Sequence, residues 1–348
     1  LEGIDFLVSV EDASTQQAIT EKYKQYPVHF EFSSKQDFYL KLLELSSDKE
    51  HYSFLSYKMD ATEKYTSEAA IYEAAGYSFI IPELRDNQLE WKLEEQKKLN
   101  DLISLDAIKG IVHSHSKYSD GANTLAELAE YCKNQGFEYL VISDHSKSAF
   151  YASGMKEDKI IAQHEEIDVL NKKLFPFRIF KSVESDILYD GQLDYSADIL
   201  KSFDLIIASV HSQLKMNEEK AMHRLLTAIE NPFTTILGHL TGRLLLSREG
   251  YPVNHKEIIK ACVDNNVVIE INANPRRLDI DWTWVQFAIQ QGAMLSINPD
   301  AHNIAGIDDI RYGVMAAQKA GLTAKNNLSS MSLVEFENYI LSNKKLKH

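Results

Sequence analysis

Cysteine is nearly missing from this sequence. The two present, Cys132 and Cys262, fall inside helical patterns, and neither has a Cys-x-x-Cys partner. A disulfide framework and sulfur ligation of zinc are thereby excluded, and a reducing, cytoplasmic setting is expected. No uninterrupted apolar segment approaches the ~20 residues that a membrane span needs, so no membrane partner is expected. No basic stretch followed by an apolar one opens the chain, which argues against a signal peptide. Leu1 stands where an initiator Met would, as expected of an excised fragment or a processed chain. Basic residues are also in deficit: 37 Lys and Arg against 51 Asp and Glu give a net charge of −14. That balance excludes broad electrostatic adhesion to nucleic acid. Low-complexity tracts are absent and 44% of residues are hydrophobic, so 348 residues should form two domains, or one barrel with an appendage.

Histidine is what the sequence does have, in a pattern. In Ile111-Val-His-Ser-His-Ser-Lys-Tyr-Ser-Asp-Gly121 a strand-like run ends in His113 and His115, with Asp120 close behind. Residues i and i+2 of a strand share a face, so both imidazoles point the same way. Similar endings recur. Tyr139 to His145 ends in Asp-His, Ile179 to Glu184 in an acid, Leu205 to His211 and Thr235 to His239 in His, and Met294 to His302 in Asp-x-His. Six of the twelve histidines are strand-terminal in this way; His29, His51, His164, His223, His255 and His348 read as surface or structural.

The apolar runs at 110–114, 138–143, 178–184, 204–210, 235–239, 267–272 and 294–298 are seven strand candidates. Helical patterns separate them, such as Thr124 to Gln135, Glu218 to Glu230, Lys256 to Asn265 and Trp282 to Gln291. Strands alternating with helices predict a parallel α/β sheet, and in a barrel of that kind the site lies at the strands' C-terminal ends. A last helix, roughly Ser332 to Leu341, should pack on the barrel's outside. Upstream, Ile4 to Val10, Ser14 to Gln25 and Val28 to Phe32 read as strand, helix, strand. Residues 36–75 read as mainly helical, and Glu83 to Asp86 with Gln88 to Asn100 as a surface connection.

His113-Ser-His-Ser, Ser119-Asp-Gly, Ser143-Asp-His-Ser, Gly238-His-Leu-Thr-Gly-Arg-Leu-Leu, Glu270-Ile-Asn-Ala-Asn-Pro-Arg-Arg-Leu-Asp and Asp300-Ala-His resemble the PHP (polymerase and histidinol phosphatase) domain. The likeness is greatest to the module at the C-terminus of bacterial family X DNA polymerases. It covers roughly 105–327, and Ile80-Ile-Pro-Glu-Leu-Arg resembles that family's linker upstream. The resemblance implies a distorted seven-stranded (β/α)7 TIM-like barrel over 105–348, preceded by a small α+β domain over 1–100. It implies two or three divalent metal ions. By motif, His113, His115, Glu184 and Asp300 would bind one, Glu184 would bridge to a second held by His211 and His239, and Asp120, His145 and His302 would bind a third. Zn, Mn and Fe all suit this ligand set. Glu184, Asp300 and His302 are the residues expected to act in catalysis.

The N-terminal part resembles the palm and thumb of that family but departs from it. The expected Gly-Asp-x-Asp reads Glu2-Gly3-Ile4-Asp5, and the third acid's strand reads Val28-His29-Phe30-Glu31. Residues 1–100 are therefore expected to be a palm/thumb remnant without polymerase activity. The leading expectation for the chain is metal-dependent phosphodiester hydrolysis on DNA, as a 3′→5′ exonuclease or in 3′-end processing for repair. Paired cations would polarise the phosphate and activate water, and would reverse the local field of an acidic protein. Arg243, Arg276 and Arg277 are candidates to hold phosphate oxygens, as are Lys117 and Lys147. A small-molecule phosphomonoesterase of the histidinol-phosphatase type is the first alternative, and a metal-stabilised scaffold without catalysis the second. Oligomeric state is not legible.

Overall fold

In the computed structural model, which describes residues 4–60, 62–86 and 89–347, the chain divides into two units, Leu1–Asp101 and Leu102–His348. Glu2, Gly3, Gln88 and His348 lie outside the described residues.

The first unit begins with β1 (Ile4–Ser9), α1 (Ala13–Tyr23) and β2 (Val28–Ser33). Asp12 starts α1 by accepting the Thr15 amide. The strands are parallel, with Asp5 beside His29 and Leu7 beside Glu31. Phe6 stacks on Phe30, centroids 5.7 Å apart. Because side chains alternate, Asp5, His29 and Glu31 share the opposite face. Four helices follow: α2 (Phe38–Leu45), α3 (Lys49–Ser56), α4 (Glu68–Ala74) and α5 (Glu90–Glu95). The expected surface connection is instead partly core. Leu84, Arg85 and Glu90 are buried. Arg85 pairs with Glu68, and Glu90 lies 2.8 Å from His51 Nδ1, whose Nε2 meets the Tyr72 hydroxyl. Two of the segment's charges, Arg85 and Glu90, are paired internally rather than solvated, while Lys92, Glu95, Lys97 and Lys98 stay exposed.

The second unit is built on seven parallel strands in sequence order: β3 (Gly110–Ser114), β4 (Tyr139–Ile142), β5 (Arg178–Asp186), β6 (Leu205–Ser209), β7 (Ile236–Leu237), β8 (Val268–Asn272) and β9 (Leu295–Asn298). Beyond the last strand, Ala301 exchanges backbone hydrogen bonds with His113 and His115 and joins β9 back to β3. The result is a nearly closed barrel. Helices α6 (Leu125–Asn134), α7 (Glu157–Leu174), α8 (Ala197–Leu200), α9 (Glu218–Glu230), α10 (His255–Asp264), α11 (Trp282–Gln290), α12 (Ile304–Ile307) and α13 (Ile310–Lys319) connect the strands or follow β9. Thr124 and Glu127 form a reciprocal capping box on α6. None of the described helices is long and apolar enough to cross a membrane.

Alternation along the strands sorts the core. Ile111, Leu140, Ile142, Ile206, Ile269 and Ile297 pack with the helices. Val112, Tyr139, Val141, Phe180, Ile207, Ile236 and Val268 form a second apolar cluster, joined by Phe336 and Ile340 of α14 (Leu333–Lys347). Phe336 stacks on Tyr139 at 4.4 Å and meets Phe180 edge-on at 4.8 Å. The last helix thus seals the strands' N-terminal end instead of joining the outer ring. The opposite end is left for polar groups.

Candidate metal centre

The strands that start apolar finish polar. Following β5 inward from Phe180, the same face carries Ser182, Glu184 and Asp186; on β8 it carries Val268, Glu270 and Asn272. Register in β3 breaks between Ile111 and Ser114. His113 (φ 67) and Asp300 (φ 52) both adopt left-handed backbone, which non-glycine residues rarely hold unless their surroundings impose it. Here the exchange with Ala301 does so. Gly121 brings the next loop back against β3: a Cβ there would stand 2.2 Å from the His115 carbonyl. Only glycine permits that approach, and it sets Asp120 over the barrel mouth.

All nine residues expected as ligands converge. Glu184, 1% exposed, is their centre. Its Oε1 lies 3.3 Å from His113 Nε2, 3.2 Å from His211 Nε2 and 3.0 Å from His239 Nε2. Its Oε2 lies 3.0 Å from His145 Nδ1 and 3.7 Å from His115 Nε2. Asp300 Oδ1 lies 3.1 Å from His115 Nε2 and 3.5 Å from His113 Nε2. Asp120 Oδ2 lies 3.6 Å from His145 Nε2 and 3.5 Å from His302 Nε2. Three groups have donor atoms within 4.8 Å of one another: His113, His115 and Asp300; His145, Glu184 and His211; and His115, Asp120, His145 and His302. His115 and His145 therefore each face two groups, one ring edge to each. The partition implied by the resemblance had given each of them to one.

Buried His113 Nε2, His115 Nδ1, His145 Nδ1, Glu184 Oε2 and His211 Nε2 have no hydrogen-bond partner among the described residues. They approach one another yet do not pair, which leaves lone pairs aimed at common space. Buried polar atoms are seldom left so. Imidazole and carboxylate donors suit a borderline divalent cation, so the residues fit the metals that the sequence implies. The field agrees. Burial disfavours protonated His211, yet Glu184 and Asp186 override it and push it up to about 10. His302 is raised to about 9 against burial by Asp120 and Asp300. His115, buried between His145 and His302, falls to about 3. The carboxylates draw positive charge into the cluster, the demand that a divalent cation meets.

A further set of groups escaped the sequence reading. Buried Glu270 accepts from His113 Nδ1 at 2.6 Å, from the His239 amide at 3.0 Å and from the side chains of Asn272 and Asn298. Asp186 lies 3.1 Å from His211 Nδ1. Asp144 collects Ser116, Ser119 and Gln163 and fixes the loop after β3. Strand alternation from Val268 and Phe180 would have found Glu270 and Asp186.

The five basic residues expected to bind phosphate do not share one place. Arg277 faces the cluster: its Nε lies 3.4 Å from Asp300 Oδ2, and its Nη1 is buried without a partner among the described residues. Arg243 is committed elsewhere, to Asp281 and to the carbonyls of Arg277 and Leu278. Lys147 is held by Glu157 at 3.2 Å. Arg276 and Lys117 are exposed on their loops. A nearby acid or carbonyl is the physical reason in both committed cases.

The PHP domain profile matches residues 112–274. The DNA polymerase/3′-5′ exonuclease PolX of Bacillus subtilis (strain 168) is 37% identical over 329 residues, 93% of this chain and 57% of that protein. A probable phosphatase of Clostridium novyi (strain NT) is 29% identical over 165 residues, 46% of this chain and 63% of its own length. The chain thus spans about three-fifths of the length of these two relatives. Among solved structures, a histidinol phosphate phosphatase from Lactococcus lactis aligns with a TM-score of 0.45 at 16% identity, covering 60% of this chain and 94% of that one. The matched stretch holds seven of the nine converging side chains, and residues 112–274 of this chain form a PHP domain.

Proposed function

We propose that this PHP-domain, metal-dependent phosphoesterase hydrolyses DNA phosphodiesters from the 3′ end, as an exonuclease or a 3′-end processing enzyme. The observation that carries the reading is the extent of the likeness to the polymerase/exonuclease. It runs over 93% of the chain, well beyond the matched domain, whereas the likeness to the phosphatase of Clostridium novyi covers 46%.

His113, His115, Asp120, His145, Glu184, His211, His239, Asp300 and His302 would hold two or three divalent cations. Cations so held would polarise the phosphate and lower the pKa of water. The remaining tasks fall to the chain itself. Glu270 and Asp186 fix the tautomer and ring orientation of His113 and His211. Arg277 takes a phosphate oxygen beside Asp300, a role suited to its planar fork of donors. The β3 and β8 loops keep the cluster at the barrel mouth, where a strand of DNA leaves without passing through protein. Arg276, exposed on the same loop as Arg277, meets the next phosphate.

The test compares a labelled single-stranded oligonucleotide with a small phosphomonoester in Mn²⁺. Stepwise release from the 3′ end is expected, with a loss of about 10-fold or more in Arg277→Ala, the scale of a charge-assisted hydrogen bond. Intact DNA alongside rapid monoester hydrolysis would establish the small-molecule alternative, which the likeness to the probable phosphatase favours. Inertness toward both, with metal bound, would leave the scaffold reading.

A further inference from the structure

Beside the nine converging residues stands Tyr151, which the metal chemistry does not use, with Phe150 its neighbour in sequence. Phe150 is 86% exposed and Tyr151 69% exposed, on a single 3-10 turn, Phe150–Ala152, in the loop after β4. The Tyr151 ring centroid lies 6.1 Å from that of His145 and 6.5 Å from that of His211. Its hydroxyl also lies in the fields of Glu184, Asp186, Asp120 and Arg277.

The turn is held firmly for so exposed a segment. Ala149 and Ala152 are each 1% exposed and anchor it from below. The Met155 amide donates to the His145 carbonyl at 2.8 Å, and the Gly154 amide to the Ala149 carbonyl at 3.1 Å. The Ser148 amide donates to Asp194 at 2.6 Å. The loop that displays the rings therefore starts and ends on the backbone of a site histidine. Scattered exposed apolar residues are ordinary; an exposed aromatic ring on an anchored turn beside two site histidines is not a packing requirement.

We propose that Tyr151, with Phe150 beside it, is the stacking surface for the terminal nucleobase of a 3′ end whose phosphodiester lies at the metal centre. This deepens the DNA reading above and rests on it. Charge supplies the second argument. A chain at −14 holds few phosphates by electrostatics outside the site, so its grip on a strand needs a contact that is not ionic. Aromatic stacking is such a contact, and it tolerates any base. It would also separate nucleic acid from small phosphate esters, which carry no base to stack.

Two oligodeoxynucleotides that differ only in the 3′-terminal residue, one with a base and one abasic, test this in Mn²⁺. Wild type should prefer the base-ended strand in kcat/KM by about fivefold to a hundredfold, the measured range for one stacked base. Tyr151→Ala should bring that ratio toward one, mainly through KM, while Tyr151→Phe keeps it and Phe150→Ala reduces it less. Metal content equal to wild type checks that each variant is folded. A ratio that Tyr151→Ala leaves unchanged, or an equal fall in kcat on both strands, overturns the inference. If wild type leaves both strands intact yet hydrolyses p-nitrophenyl phosphate, the DNA reading fails, and this inference with it.

Discussion

Glu270 touches no expected metal position, yet four donors converge on it: His113 Nδ1, the His239 amide, and the amides of Asn272 and Asn298. It is the hub that turns the His113 imidazole toward the common space and holds the His239 backbone in place. Outer carboxylates of this kind raise ligand basicity and hold ring orientation. Glu270→Gln keeps the shape and removes the charge, so metal affinity should fall by about 10- to 100-fold while the fold survives. A competition titration with a chromophoric chelator reads this, and wild-type affinity would refute the assignment. Glu184 should matter more, because five imidazoles approach its two oxygens. Glu184→Ala should abolish phosphoesterase activity and reduce bound metal. His255→Ala should do neither, since that ring stacks on Trp284 at 4.6 Å. Equal activity in the two variants would remove Glu184 from the centre. At this scale the sequence was readable where residues end strands, as His211 and His239 do. It was opaque where an acid hides inside an apolar run, as Glu270 does, and where a histidine is buried by partners distant in sequence, as His51 is by Glu90 and Tyr72.

At the scale of elements, all seven expected strands are present, because buried parallel strands read as continuous apolar runs. Their ends shifted by a residue or two, β7 shrinking to Ile236–Leu237. What the runs do not encode is the bend that aims a side chain. The broken register in β3 and the left-handed backbone of His113 and Asp300 depend on Ala301, far away in sequence. The role of α14 was hidden for a similar reason. Its sequence is amphipathic in no obvious way, and only the rings of the barrel floor that it buries, Tyr139 and Phe180, decide where Phe336 goes. Fully buried Phe336 closes that floor, so Phe336→Ala should cost about 3–5 kcal/mol, the usual range for such a truncation. Chemical denaturation measures it. A cost below about 1 kcal/mol, as for surface positions, would return α14 to the outside of the barrel.

For the whole molecule, the division into Leu1–Asp101 and Leu102–His348 separates the chemistry. The first unit presents Asp5, His29 and Glu31 on one strand face, two carboxylates and an imidazole where a polymerase of the resembled family needs three carboxylates. We expect no extension of a primed template with dNTP and Mg²⁺; robust extension abolished by Asp5→Ala would overturn the remnant reading. The second unit carries every expected ligand. Without cations, its barrel mouth gathers the carboxylates of Glu184, Asp300 and Glu270, each no more than 4% exposed, offset by protonated rings and, at Asp300, by Arg277. Cations that bind the folded cluster and not the unfolded chain stabilise by linkage, about 2.7 kcal/mol at a hundred times Kd and about 4.1 at a thousand. Chelation should therefore lower the unfolding temperature, and Mn²⁺ or Zn²⁺ should restore it. The effect should also be local. Amide exchange should quicken in β3, β5, β6 and β8 on metal removal while β1, β2 and the helices α2 to α5 keep their protection. Equal quickening in both units, or none in either, would mean that the nine converging residues do not hold a metal whose binding is coupled to the folding of the barrel.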